Sequence, residues 1–244
     1  MSPRFCRGST RIRAVKLLAF EAATHRLSVA FYEDGTVSER FAEVPNGGSE
    51  RLLPWAQELL AAAGTRLAQL DGIAFGAGPG GFTGLRLACG VAQGLAFGLD
   101  RPVVPVCTLA VLALGAGDGR ILACLDARMN EVYLAAYAVA GDSVTELATP
   151  IVDAAATLSL PEGSGWHGAG DGFSTWGDVL RTRLDGRMES VDPQLAPTAS
   201  AVARLAAPVF AAGRGVSAAA ALPRYVRDKV ALTTAERLAR GGSR

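Results

Sequence analysis

The alternation of apolar and polar positions changes period several times along the chain, and each change marks an element. Residues 17–21 and 27–32 are short apolar runs suited to buried strands, joined by Ala22-Ala23-Thr24-His25-Arg26. Asp34-Gly35 is a hairpin signal and introduces a more polar strand over 37–44. After Pro45-Asn46-Gly47-Gly48 the period becomes helical. Leu52, Leu53, Ala56, Leu59, Leu60 and Ala63 recur at three- and four-residue steps, which predicts a helix over 49–63 with Ser49 as its cap and Gly64 as its stop. A buried strand at 73–75, a glycine-rich turn, a helix over 83–99, a strand at 103–106 and a helical stretch over 108–114 follow.

The same order then recurs. Residues 120–126 and 131–137 are two apolar runs joined by Ala127-Arg128-Met129-Asn130, Gly141-Asp142 makes the next turn, and 144–151 supply a third strand. A helical or irregular region comes next. The stretch 165–172, GWHGAGDG, is a second glycine-rich connection after a short strand, and Thr198 behind Pro197 caps an alanine-rich helix to residue 212. The letters do not repeat, but the element order does. Tandem βββαβαβα units predict an α/β protein of two related lobes facing a cleft, the actin-like (ASKHA) architecture. The expected division is a loose basic extension at 1–15, a first lobe at 16–115, a second at 116–222 and a terminal segment at 223–244 that packs back on the first lobe.

The chemistry suggested by the glycine-rich turn is open. Gly76, Gly78, Pro79, Gly80 and Gly81 precede a helix N-terminus, where free N–H groups and the dipole favour an anion. The spacing matches neither G-x-x-x-x-G-K-[ST] nor G-x-G-x-x-G, so a tight turn capped by Thr83 is the competing reading. In the actin-like superfold the first hairpin of each lobe holds nucleotide phosphates. Here those hairpins offer one carboxylate each, Glu21 and Asp126, but no glycine to let a phosphate approach the backbone. The candidate anion or nucleotide contacts are therefore Glu21, Gly78, Gly80, Gly81, Thr83, Arg86 and Asp126.

The helix after the turn carries two rows of small residues, Gly84-Ala88-Ala92-Ala96 and Gly90-Gly94-Gly98. Each internal glycine costs about 0.5–1 kcal/mol relative to alanine. Such a helix must gain from a bare surface that admits a close neighbour, either inside its own lobe or in another subunit.

Composition narrows the classes. Half of the 244 residues are hydrophobic and 19% are charged, with a formal net charge of only +1. The whole-protein field therefore gives no strong attraction to nucleic acid. There is no run of about 18 consecutive apolar residues, so no membrane span is expected. Cys6, Cys89, Cys107 and Cys124 lie far apart with no C-x-x-C spacing, which predicts free thiols and a cytoplasmic setting. The start, MSPRFCRGSTRIRAVK, has no apolar core and is not a secretory signal. His25 and His167 are not spaced as a helical metal pair, no G-x-S-x-G elbow occurs, and no cysteine has a histidine near it in sequence. No catalytic residue and no metal site are predicted.

Several blocks resemble the bacterial TsaB (YeaZ) family: Ser49-Glu50 with Leu52-Leu53-Pro54, LDGIAFGAGPGGFTGLRLACGVAQGLAFG, PVVPVCTL, LDARMNEVYLAAY and LPRYVRDKVA. The similarity runs from about residue 17 to 231. It implies an actin-like, non-catalytic accessory subunit of tRNA threonylcarbamoyladenosine biosynthesis. Such a subunit binds and activates the paralogue TsaD, which transfers the threonylcarbamoyl group to the adenosine beside the anticodon. TsaE, an ATPase, joins them, and tRNA is met through the complex. The family contact uses the two first-lobe helices, which here implies an interface of Leu52, Leu53, Ala56, Leu59, Leu60, Leu87, Gly90, Val91 and Gly94. The resemblance implies no cofactor of the chain's own, leaves room for ATP or ADP at the heterodimer junction, and allows a homodimer when the partner is missing. The chain departs from the family pattern at Glu21-Ala22 (Asp-Thr), Gly48 (histidine), Ala77 (arginine) and Gly81 (serine), which erodes the polar cleft and spares the helix faces. The alternative is an autonomous ATPase or kinase-like enzyme on the same fold.

Overall fold

The computed structural model describes residues 15–44 and 48–227. The basic extension, Cys6, the loop at 45–47 and the terminal residues 228–244 lie outside the described residues.

Two five-stranded mixed sheets form the frame. The first runs β3-β2-β1-β4-β5, from β1 (Lys16–Glu21), β2 (Arg26–Glu33), β3 (Thr36–Glu43), β4 (Gly72–Gly78) and β5 (Val103–Cys107). The meander is antiparallel, whereas β4 and β5 join parallel to β1. The second sheet repeats the plan as β10-β9-β6-β7-β8, from β6 (Gly119–Arg128), β7 (Glu131–Ala140), β8 (Ser143–Ala154), β9 (Trp166–Ala169) and β10 (Met188–Asp192). The predicted α/β, two-lobed actin-like architecture is what the chain adopts.

Period-two alternation gives each sheet two buried faces. Leu18, Phe20, Val29, Phe31, Ile73 and Phe75 point to the face covered by α1 (Ser49–Ala62) and α2 (Phe82–Leu99). Leu17, Ala19, Ala30 and Ala74 point the other way, onto α5 (Ala199–Ala211). In the second lobe Ile121, Ala123, Leu125 and Tyr133 pack with α3 (Thr108–Ala116), while Leu122, Cys124, Val132 and Leu134 pack with α4 (Gly172–Leu184).

The lobes therefore exchange helices. Helix α3 falls in the stretch assigned to the first lobe but covers the second sheet, and α5 does the reverse; the two helices also touch each other. The glycine stretch at 165–172 contains a strand, β9, that sequence had placed before it. Ser49 and Thr83 are not caps. The N-caps are Gly48, with φ +84°, and Gly81, and neither helix start receives a side-chain hydrogen bond.

Candidate functional site

Helix α2 presents three different stripes. Successive residues turn by about 100°, so Leu85, Ala88, Cys89, Ala92 and Ala96 share one edge, and these are the residues that the helix buries. The Gly84-Ala88-Ala92-Ala96 row is thus an internal packing row, seated on β1 and β4. The other row faces outward. A Cβ added at Gly90, Gly94 or Gly98 would meet nothing within 4 Å. Beside it Phe97 is 84% exposed. Leu87, Val91 and Leu95 are half-buried between the two rows. Helix α2 has a mean hydropathy of 1.3 over 18 residues, long and apolar enough by length and composition to cross a bilayer, yet only 28% of it is buried. Its buried edge is committed to its own sheet, so what it offers outward is an apolar face.

Helix α1 corrects part of the expected interface. Leu52, Ala56, Leu59 and Leu60 are at most 6% exposed and belong to the core of their own lobe. An amphipathic helix covers its own sheet with its apolar stripe before it offers anything to a partner. Of the α1 positions only Leu53, 47% exposed, remains available. On α2 Gly90 and Gly94 are open, and Leu87 and Val91 are half-buried.

The glycine-rich turn is occupied by the chain itself. The Gly81 N–H at the start of α2 donates to the Ala23 carbonyl at 2.8 Å. A Cβ at Gly80 would lie 2.7 Å from both Ala23 Cβ and the Ala23 carbonyl oxygen, and one at Gly84 would collide with the Ala22 carbonyl. These glycines let the β1–β2 turn dock on the helix N-terminus, so a backbone carbonyl takes the place expected for an anion. Gly78, at φ +109°, donates its N–H to Thr108 Oγ1 at 3.0 Å and faces the Arg224 carbonyl. Gly78, Gly80 and Gly81 are accordingly corrected from ligand contacts to packing positions, while Thr83 is exposed on the first turn of α2.

Glu21 is also corrected. Its side chain is fully buried, with Oε1 accepting the Ala23 N–H at 2.6 Å and Oε2 without a partner. The extra methylene relative to aspartate fits because residue 76 is glycine; a Cβ there would strike the Glu21 carboxyl. Burial pushes its pKa up to about 7, against opposing hydrogen bonds from the Ala23 and Ala22 amides. A carboxyl sealed under a strand does not reach a metal or a phosphate in the cleft.

The second lobe keeps its acids nearer the surface. The Asp126 Oδ1 accepts the Arg128 N–H at 2.9 Å and its Oδ2 lies 3.3 Å from Arg128 Nη1, so its own hairpin engages it. The Asp126 N–H donates to Asp171 Oδ1 at 2.9 Å. Asp171, at the start of α4, is the functional candidate that sequence reasoning missed. Burial raises its pKa against the hydrogen bond from the Asp126 amide; the Asp126 charge adds to the rise, while His25 and Arg128 oppose it. The available signal was positional: the GAGDG turn stands in the second lobe where GPGGF stands in the first. Arg86 is exposed; its Nε donates to the Tyr225 hydroxyl at 3.3 Å, and its guanidinium stands 5.8 Å from the Phe82 ring. Among the described residues no group of three histidine, cysteine, aspartate or glutamate side chains converges as a metal centre needs, and Cys89, Cys107 and Cys124 are free thiols.

A two-lobed α/β frame, a phosphate corner closed by its own backbone and a bare apolar helix face define a member of the actin-like class. The family model for TsaD, tRNA N6-adenosine threonylcarbamoyltransferase, matches residues 46–222. The tRNA threonylcarbamoyladenosine biosynthesis protein TsaB of Escherichia coli (strain K12) is 36% identical over 225 residues, covering 89% of this chain and 96% of that protein. The structure of YeaZ from Pseudomonas aeruginosa matches with a TM-score of 0.79 at 40% identity, covering 86% of this chain and 99% of that one. A second structure, described as an uncharacterized protein with similarity to peptidase YEAZ from Pseudomonas aeruginosa, gives a TM-score of 0.80 at 40% identity over 87% and 100%. The chain belongs to the TsaB (YeaZ) family.

Proposed function

We propose that the chain is a non-catalytic subunit of tRNA threonylcarbamoyladenosine biosynthesis that docks a TsaD-type paralogue through the outer face of α2 and thereby activates it. The observation that carries this reading is the Gly90-Gly94-Gly98 row. Among the described residues nothing lies within 4 Å of a Cβ added to it, although each glycine weakens the helix by about 0.5–1 kcal/mol. A partner helix seated on that row, with Phe97, Leu53 and the half-buried Leu87 and Val91 around it, would account for a cost that the chain alone does not. TsaE and the tRNA would meet the chain through that assembly, and any ATP or ADP would sit at the junction between the paralogues rather than on the closed Gly80–Gly81 turn. The peptidase wording attached to one structural neighbour finds no support in a nucleophile elbow or a histidine pair.

The test is co-expression with the TsaD-type protein of the same organism, followed by size-exclusion chromatography and a tRNA modification assay. Gly94→Leu is expected to weaken the heterodimer at least about tenfold, a loss on the scale of a central interface residue, and to lower modification with it. The isolated variant should stay folded, because the added side chain enters open space. Undiminished co-elution of the variant would overturn the reading. ATP hydrolysis by the isolated chain, lost on Asp126→Asn, would replace it with the ATPase alternative.

A further inference from the structure

After α5 the chain returns along the first sheet, pairs Val216 with Val103, and then crosses to the other lobe over residues 221–227. The crossing is held at both ends and in its middle. The Ala221 carbonyl accepts Gln93 Nε2 at 2.8 Å and the Cys89 thiol at 3.3 Å, which fixes the start against α2. The Arg224 N–H donates to the Ala77 carbonyl at 2.6 Å, beside the cradle left by Gly78. The Tyr225 ring packs 5.5 Å from the Phe82 ring, and its hydroxyl accepts from Arg86. One residue later the side chains belong to the second lobe: Val226 joins the core under α3, and Arg227 clasps the β6–β7 hairpin. The Arg227 guanidinium donates to the Ala127 carbonyl at 3.0 Å, lies 3.3 Å from Met129 Sδ, and pairs with the Glu131 carboxylate.

We propose that residues 221–227 are a latch that ties the two lobes together across the crevice at the carboxyl ends of their parallel strands. That end of an open α/β sheet is where ligands usually enter. Here β4 ends at Gly78 and β6 at Arg128, and the segment lies against the β4 end and the β6–β7 hairpin. The hairpin tip explains why a clasp is needed. Arg128, Met129 and Asn130 have φ of +62°, +54° and +64°, three successive left-handed residues without a glycine among them, a conformation that L-residues hold only when neighbours enforce it. Arg227, with its side chain 10% exposed, is the outside group that grips this tip. The latch also gives the late LPRYVR stretch a role that the docking face does not absorb, and it stands independently of the docking proposal.

The experiment disturbs one end of the latch and reads the other, by amide hydrogen exchange on the full chain. Tyr225→Ala removes the contacts with Phe82 and Arg86 of the first lobe, yet it is expected to speed exchange at residues 128–131 about tenfold, because the clasp loses its anchor. Arg227→Ala is expected to do the same at residues 80–85. A single cooperative melt for each variant shows that the fold survives. Glu131→Gln supplies a second route, loosening the clasp from the hairpin side without touching the segment. If each change alters only the peptides in contact with the substituted side chain, the latch is wrong.

Discussion

The two lobes meet the same local problem at the same place, where a glycine-rich turn leads from a parallel strand into a helix beside the first hairpin. Their solutions differ. In the first lobe the Ala22-Ala23 turn lies on the helix start, its carbonyls face Gly80, Gly81 and Gly84, and the acid of the strand, Glu21, is sealed under Gly76. In the second lobe Gly170 and Gly172 also give way to the neighbouring strand β6, here at Cys124, but the acids Asp126 and Asp171 stay near the surface and are tied to each other and to Arg128. The glycines of both corners therefore serve close packing of the chain on itself. What separates the lobes is the fate of the carboxylate, and that difference marks the first corner as closed.

The strongest way to break the comparison is to refill those gaps. Gly84→Ala places a methyl group against the Ala22 carbonyl, a rigid backbone atom, and the loss of stability is expected to be about 3 kcal/mol, at the upper end for overpacking. Gly172→Ala meets the Cys124 thiol first, a side-chain atom with more freedom, so its loss should be smaller. Denaturant unfolding of the two variants decides it; equal or inverted losses would show that the first corner is no tighter than the second.

The buried acid supplies the next effect. Glu21 has a pKa near 7 in the folded chain against 4.5 ordinarily, so the folded state holds its proton more firmly. The stability this contributes is fully present below about pH 4.5 and is lost as pH rises through 7. A shift of this size corresponds to about 3 kcal/mol, an upper figure for a single group. Glu21→Gln carries no such proton and retains the oxygen that accepts the Ala23 N–H. Its stability relative to the parent chain should therefore rise steadily from pH 4.5 to 7 and then level off, as followed by urea unfolding at fixed pH values. A constant difference across that range would mean that Glu21 is not sealed.

How much of this was visible beforehand depended on what each signal can specify. The strands of both meanders and the helices α1 and α2 were legible because period two and period 3.6 are written locally. Helix α4 and β10 were not: α4 begins at a glycine and is interrupted at Trp176, and β10 alternates weakly because most of it is exposed. The apolar stripe of α1 correctly announced a buried face, but a stripe does not say against what it is buried, and four of its residues went to their own lobe. The two small-residue rows of α2 look alike as letters; only the packing separates Ala88, Ala92 and Ala96, which are buried, from Gly90, Gly94 and Gly98, which face open space. Asp171 and Asp126 are 45 positions apart, and Arg227 reaches Ala127 across 100, so neither pairing had a local trace.

The smallest effect sharpens the comparison most, because it separates a glycine kept for the chain from one kept for something else. Gly94 sits mid-helix with an ordinary helical backbone and nothing within 4 Å of an added Cβ. Replacing it with alanine removes backbone freedom from the unfolded chain and introduces no clash, so the isolated protein should gain about 0.5–1 kcal/mol, in contrast to the loss at Gly84. A chain that forgoes this gain on the outside of α2, while using glycine on the inside for contact, is what the proposed docking face would require, since no described residue lies within 4 Å of a Cβ added there. Urea unfolding of Gly94→Ala measures the gain. A loss instead would mean that the bare row serves the fold, and it would remove the reason to look for a partner on that face.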